Sequence, residues 1–158
     1  MDFGEQIKKY LENTYRYLGI RNRSEKEIRD YLIRKKATNE IIDHIVDLLK
    51  KQKFLNDEEF ARSWISSRAR FRPKGKNAIR FELLQKGITK DVVDKLLKEV
   101  NEELPDELTQ ATRLIASRIE KLKGKPRQEI YSKVGGFLAR RGFNWDIIKK
   151  AIDSSLND

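Results

Sequence analysis

At 158 residues the chain is long enough for one ordinary domain or for several small helical modules that share cores with their neighbours, and too short for two large independent domains. Its 35 Lys and Arg against 25 acids give a formal net charge of +10, which attracts phosphate, and the equal hydrophobic and charged fractions of 38% suit slender amphipathic helices in an elongated molecule. Without cysteine, disulfides, thiol nucleophiles and Cys-ligated zinc are excluded and the reducing cytoplasm is the expected compartment; no apolar run approaches a membrane span, and the charged stretch from Met1 to Tyr10 argues against a signal peptide.

Apolar residues at spacings of three and four run along most of the chain, while the alternation expected of strands is nearly absent. An amphipathic segment over residues 6–18 predicts the first helix. Ser24 and Glu27 stand at capping-box spacing before Ile28 and Leu32, which predicts a second helix ending at a turn on Lys36. Thr38 is a suitable N-cap for a third helix carrying Ile41, Ile42, Ile45 and Val46.

The same pattern returns with Asn56 and Glu59 opening a helix over residues 57–70, Ile79 and Leu83 before Gly87, and Thr89 before Val92, Val93, Leu96 and Leu97. It returns again with a helix over residues 107–122, then Val134 and Leu138 before Gly142, then Ile147, Ile148, Ala151 and Ile152. Ala37, Ile88 and Phe143 follow the aligned turns, which repeat at offsets of 51 and 55 residues, and Gly87 and Gly142 suit the left-handed residue that ends a helix. The predicted fold is therefore all-α: an elongated tandem array of three three-helix repeats, residues 1–52, 53–103 and 104–158. Gly135 and Gly136 fall inside the last repeat's second helix at a cost of about 1 kcal/mol each against alanine, which makes that repeat the loosest.

No catalytic constellation is signalled. His44 is the lone histidine and lies beside Ile45 in the third helix, where a partly buried or solvated side chain is expected; no metal-ligand spacing occurs, and Gly135-Gly136 lacks the Lys-Ser/Thr of a phosphate loop. The expectation is a binding protein without catalytic residues, metal or cofactor.

Charge distribution is the informative feature. No acid occurs between Glu59 and Glu82, while Arg62, Arg68, Arg70, Arg72, Lys74, Lys76 and Arg80 all do. An ordinary solvated face mixes signs. From Arg68 to Lys76 basic and non-basic residues alternate, so an extended loop there projects several charges to one side, as a phosphate-tracking loop does. The third repeat has Lys121, Lys123, Lys125 and Arg127 around Gly124 and Pro126, and the first has Arg21 and Arg23 after Gly19. Arg21, Arg72 and Arg127 each precede the aligned turn by fifteen residues, and Lys35, Lys86 and Arg141, with Arg140, stand immediately before it. These cations other than Arg62, sixteen in all, are the expected binding residues. Lys35, Lys86 and Arg141 are explained equally well as cations complementing a helix C-terminus.

Phe71 is the stacking candidate, whereas Trp64 and Tyr15 fall at core spacing. The acids Glu99, Glu102, Glu103, Asp106 and Glu107 read either as a solvated linker that favours the next helix N-terminus or as a docking surface for a basic protein.

Several segments resemble the RecX regulatory proteins, which modulate the bacterial recombinase RecA. They are Arg23-Ser24-Glu25-Lys26-Glu27-Ile28; Phe54-Leu55-Asn56-Asp57-Glu58-Glu59-Phe60-Ala61 with Trp64; Arg68 and Pro73-Lys74-Gly75-Lys76; Leu83-Leu84-Gln85-Lys86-Gly87-Ile88; and Arg140-Arg141-Gly142-Phe143. The resemblance covers residues 7–152 and departs from the family at Lys36-Ala37, where Lys-Gly is usual. It implies a tandem array of three-helix units that lies in the groove of the RecA-DNA filament and restrains ATP turnover and strand exchange. The elongated shape without a clear self-association seam adds the expectation of a monomer, and the basic track that of contact with single- and double-stranded DNA. The rival readings are a general DNA-binding protein without a recombinase partner and a helical protein-interaction scaffold.

Overall fold

The computed structural model describes residues 1–71, 74–100 and 106–157, with backbone alone for 69–71 and 100. Among them are nine helices and no strand: α1 (Phe3–Ile20), α2 (Glu25–Arg34), α3 (Asn39–Lys51), α4 (Asp57–Phe71), α5 (Lys76–Gln85), α6 (Lys90–Val100), α7 (Glu107–Lys121), α8 (Arg127–Arg140) and α9 (Trp145–Leu156).

Helix starts are written in the local sequence. The Ser24 hydroxyl accepts from the Glu27 amide while the Glu27 carboxylate accepts from the Ser24 amide, closing the capping box of α2. Thr38, Asn56, Thr89, Asp106 and Asn144 each accept from the amide three residues on, at 2.7 to 3.4 Å. The second helix of every unit ends identically. Ala37, Ile88 and Phe143 donate to the carbonyls of Leu32, Leu83 and Leu138 at 3.0 to 3.2 Å, and Lys36, Gly87 and Gly142 between them take φ of 66°, 81° and 89°. Lys36 thus adopts the left-handed conformation without being glycine, at about 1–2 kcal/mol.

Each unit buries its own apolar stripe. Ile28, Leu32, Ile41, Ile45 and Leu49 form the first core together with Leu55 from the segment leading to α4. Phe60, Ile65, Leu83, Val93 and Leu96 form the second, and Ile115, Val134, Leu138, Ile148 and Ile152 the third. At roughly 1.5–3 kcal/mol for each large side chain removed from water, these cores are what hold the helices of a unit together. Among the described residues every extensive helix-helix packing face lies within a unit, so the array is three cores in series. Gly135 is buried in the third core, where an added Cβ meets Ile148 and Ile152 at 3.6 and 3.9 Å, ordinary contact distances.

The units meet at two related joints. Gly87, the turn of the second unit, lies against Lys26 near the start of α2, and Gly142, the turn of the third, lies against Ala78 near the start of α5. A Cβ on Gly142 would sit 2.3 Å from the Ala78 Cβ and 2.4 Å from its amide nitrogen. Gly75 completes the second joint: its amide donates to the Arg141 carbonyl at 2.6 Å, and a side chain there would strike the Gly142 backbone. Position 75 therefore caps α5 with no side chain, where Ser24 caps α2.

Gly142→Ala is expected to lower stability by roughly 2–4 kcal/mol, combining left-handed strain with the clash at the joint, while Gly124→Ala, whose φ of +88° faces open space, loses only about 1–2 kcal/mol. Chemical denaturation of both variants checks this. Equal losses would mean that the joint yields freely.

Candidate nucleic-acid interface

Of the sixteen cations read from the sequence, the side chain of Arg70 and the whole of Arg72 lie outside the described residues, as do the Phe71 side chain, Glu102 and Glu103. The expected extended loop is corrected at its start. α4 continues to Phe71, so Arg68 projects from a helix, where its side chain turns inward and not along a strand.

The acid-free block is answered from within the fold. Glu82, on α5, receives Arg68 at 2.9 Å, Lys74 at 2.5 Å and the Trp64 indole N–H at 2.6 Å, with only 16% of its side chain exposed. Burial alone would raise the Glu82 carboxyl, but Lys74, Arg68 and Trp64 together hold it below the usual glutamate range. The Arg68 guanidinium also lies over the Trp64 ring at 4.9 Å and the Lys86 ammonium over it at 5.6 Å.

Glu27 plays the same part in the first unit. Arg21 grips it with two nitrogens, at 2.5 and 3.2 Å, Arg23 stands 3.8 Å away, and Lys86 reaches it across the joint at 3.4 Å. Here too burial would raise the carboxyl, and Arg21 with the Ser24 amide brings it below its ordinary value. Arg23 is nearly enclosed, its guanidinium 3.8 Å from the Tyr17 ring and its Nε donating to the Tyr17 carbonyl. Tyr17, Arg21, Lys26, Arg34 and Lys86 edge a groove of about 440 Å³.

Each unit sets a cation over an aromatic ring near the contact of its first and second helices. Tyr17 of α1 stacks on Tyr31 of α2 with centroids 4.2 Å apart, and Lys35 lies 5.7 Å over Tyr31. Trp64 of α4 bonds to Glu82 of α5 beneath Lys86. Arg118 of α7 lies 3.9 Å over Phe137 of α8, with Arg141 at 5.0 Å from the same ring. Tyr31, Glu82 and Phe137 each precede the aligned turn by five residues; Lys35 and Arg141 face the rings at that position, whereas Lys86 faces Trp64 on the first helix of its unit. Elsewhere Lys76 stands 3.9 Å from Glu107, Arg80 pairs with Asp94 at 3.2 Å, Lys123 with Glu120 at 3.3 Å and Arg127 with Asp153 at 2.7 Å, while Lys121, Lys125 and Arg140 are exposed.

Three family models match in chain order: "RecX, first three-helix domain" over residues 11–49, the second over 56–97 and the third over 105–152. The chain belongs to the RecX family. It is 33% identical to the Regulatory protein RecX of Chlorobium limicola over 85% of this chain and 82% of that protein, and 32% identical to that of Prosthecochloris aestuarii over 96% of both. It is also 32% identical to the Bacillus pumilus protein of the same name over 98% of this chain but 58% of that one, so it spans little more than half the length of some relatives. The crystal structure of RecX from Lactobacillus salivarius shares the fold with a TM-score of 0.85 at 22% identity, covering 99% of this chain and 100% of that one.

What the sequence reading missed in this RecX chain are acids that reach across the joints. The Asp57 carboxylate, from the first residue of α4, accepts from the Glu25 amide at the first residue of α2, at 2.8 Å. Glu107, the first residue of α7, accepts from the amide of Lys76, the first residue of α5. The second and third units thus each supply an anion to a helix N-terminus of the unit before it. Asp106, beside Glu107, caps its own helix, and Glu99 pairs with Arg62 at 3.0 Å. His44 is exposed beside Phe3, its ring 5.9 Å away. No helix among the described residues is long and apolar enough to cross a membrane.

Burial raises the Asp57 carboxyl above the ordinary aspartate range despite the Glu25 amide. A carboxyl whose folded value is raised withdraws stability as pH climbs from below the unfolded value through the folded one. Asp57→Asn, which keeps an acceptor without the charge, should therefore raise the thermal midpoint at pH 7. The gain should vanish as pH falls below about 4. Melting curves across that window decide it, and a lower midpoint at pH 7 would show that the charge on the cap outweighs its desolvation.

Proposed function

We propose that this protein is a cytoplasmic, non-enzymatic, monomeric regulator of a RecA-type recombinase, which it restrains in ATP turnover and strand exchange by lying in the groove of the recombinase-DNA filament. The observation that supports this most is that the pre-turn cations Lys35, Lys86 and Arg141 each face an aromatic ring of their own unit, Tyr31, Trp64 and Phe137, giving three basic and aromatic stations along the array. A repeating array of cations suits a repeating polyanion, and the family's name as regulatory proteins points to the recombinase as the partner that presents it. Single-stranded DNA and, more weakly specified, duplex DNA supply the phosphates.

In a recombinase ATPase assay on single-stranded DNA, substoichiometric amounts of the protein should lower the steady rate or shorten filament lifetime. Binding to the coated strand should be tighter than to the naked strand and, with about six phosphate contacts, should weaken around a thousandfold between 50 and 200 mM salt. Equal binding to naked and coated strands would favour a general DNA-binding protein. An unchanged ATPase rate and filament lifetime would overturn the regulatory reading.

A further inference from the structure

In each unit at least one cation at or near the connection between the first and second helices already lies on an internal carboxylate. Arg21 and Arg23 lie on Glu27, Lys74 with Arg68 on Glu82, and Arg127 on Asp153, which also accepts from the Tyr131 hydroxyl. Arg23 and Lys74 each precede the aligned turn by thirteen residues and Arg21 and Arg127 by fifteen, so related linker cations recur on an acid of their own unit.

The seat around Glu82 has the composition of a phosphate site. A planar guanidinium, an ammonium and an indole N–H converge on one anion within 2.9 Å, with the Lys86 ammonium beyond the same indole ring. Both carboxylate oxygens are engaged, Oε2 by Trp64 and Arg68 and Oε1 by Lys74. Yet Arg68 and Lys74 retain 26% and 30% side-chain exposure, so an incoming anion can reach them from solvent.

Taking the nucleic-acid reading above as its basis, we propose that Glu82 stands in the place of a nucleic-acid phosphate, and that Arg68 and Lys74 pass from it to a phosphodiester when the strand binds. Glu82 is then an internal competitor that weakens affinity while holding both cations in a ready geometry. Glu27 and Asp153 act in the same way on Arg21 and Arg127. The incoming ligand is a phosphodiester and not a partner protein's carboxylate because the seats lie beside ring systems in every unit: Tyr17 in the first, Trp64 in the second and Tyr131 in the third. A strand offers phosphates and stacking faces together.

The test is fluorescence anisotropy of a labelled oligothymidylate with the full chain, comparing wild type, Glu82→Gln and Asp153→Asn across a salt series. Glutamine keeps an acceptor for the Trp64 indole while releasing the charge on Arg68 and Lys74. With one or two further phosphates neutralised, Glu82→Gln should bind about four- to fifteenfold tighter at 0.15 M salt, with a salt slope steeper by about 0.7 to 1.4. Asp153→Asn, which frees Arg127 at a more exposed position, should tighten by about fourfold. It keeps the idea open to refutation if Glu82→Gln unfolds. In a Trp145→Phe background, the remaining Trp64 emission should shift as oligothymidylate is added, because its hydrogen-bond partner loses two cations.

Unchanged or weaker binding by folded variants, with wild type still binding in a salt-dependent manner, would overturn the phosphate-seat proposal and leave the functional reading standing. Tightening seen only toward DNA-free recombinase would overturn it in favour of an acidic protein surface. Salt-independent or absent binding by wild type and variants alike would overturn the nucleic-acid reading itself.

Discussion

The contact on which the rest of the molecule depends is the seating of one unit's left-handed turn on the start of the preceding unit's second helix. Three separate cores would otherwise be beads on a chain, since among the described residues extensive packing between helices does not cross from one unit to the next. The joint is built differently in its two copies. Between the first and second units, Gly87 backs onto the Lys26 side chain and Lys86 reaches Glu27; between the second and third, the backbone of Gly142 lies directly on Ala78 and Gly75 bonds to Arg141. Side chains carry the first joint and backbone carries the second.

These joints also place the cations. Lys86 and Arg141 are the residues immediately before the seated turns, so the contact that fixes one unit against its neighbour fixes the position of the pre-turn cation as well. Helix-terminus electrostatics and polyanion binding are then compatible roles: Lys86 closes α5, bridges to Glu27 and faces the Trp64 ring. The side chains of Asp57 and Glu107 close the same seams by accepting from the first amides of α2 and α5, while burial works against their charged forms.

The fold was legible because its signals are local. Capping at Ser24, Thr38, Asn56 and Thr89, the apolar pairs before each turn, and the left-handed glycines are all patterns within a few residues, and three copies reinforce one another. Lys36 was legible as a turn by alignment although its residue type argues against it. The site was legible in its residue types and only partly in its geometry. Arg68 reads as a loop residue next to Pro73 and Gly75, but α4 runs past it and turns it onto Glu82, fourteen residues away. Nothing in the spacing of Glu82 marks it as the anion that gathers Arg68, Lys74 and Trp64. Asp57 and Glu107 read as acids at the start of their own helices, whereas the amides they reach belong to other units, in the case of Asp57 thirty-two residues away. Such pairings come from how units stack, which no local pattern encodes.

The most direct test of the account is the salt dependence of binding to the recombinase filament for Lys35→Ala, Lys86→Ala and Arg141→Ala, singly and together. Three stations acting at once predict that each substitution lowers the slope by about 0.7 to 0.9 and that the triple variant loses about three times as much. A triple variant with an unchanged slope, or one substitution accounting for the whole loss, would contradict it.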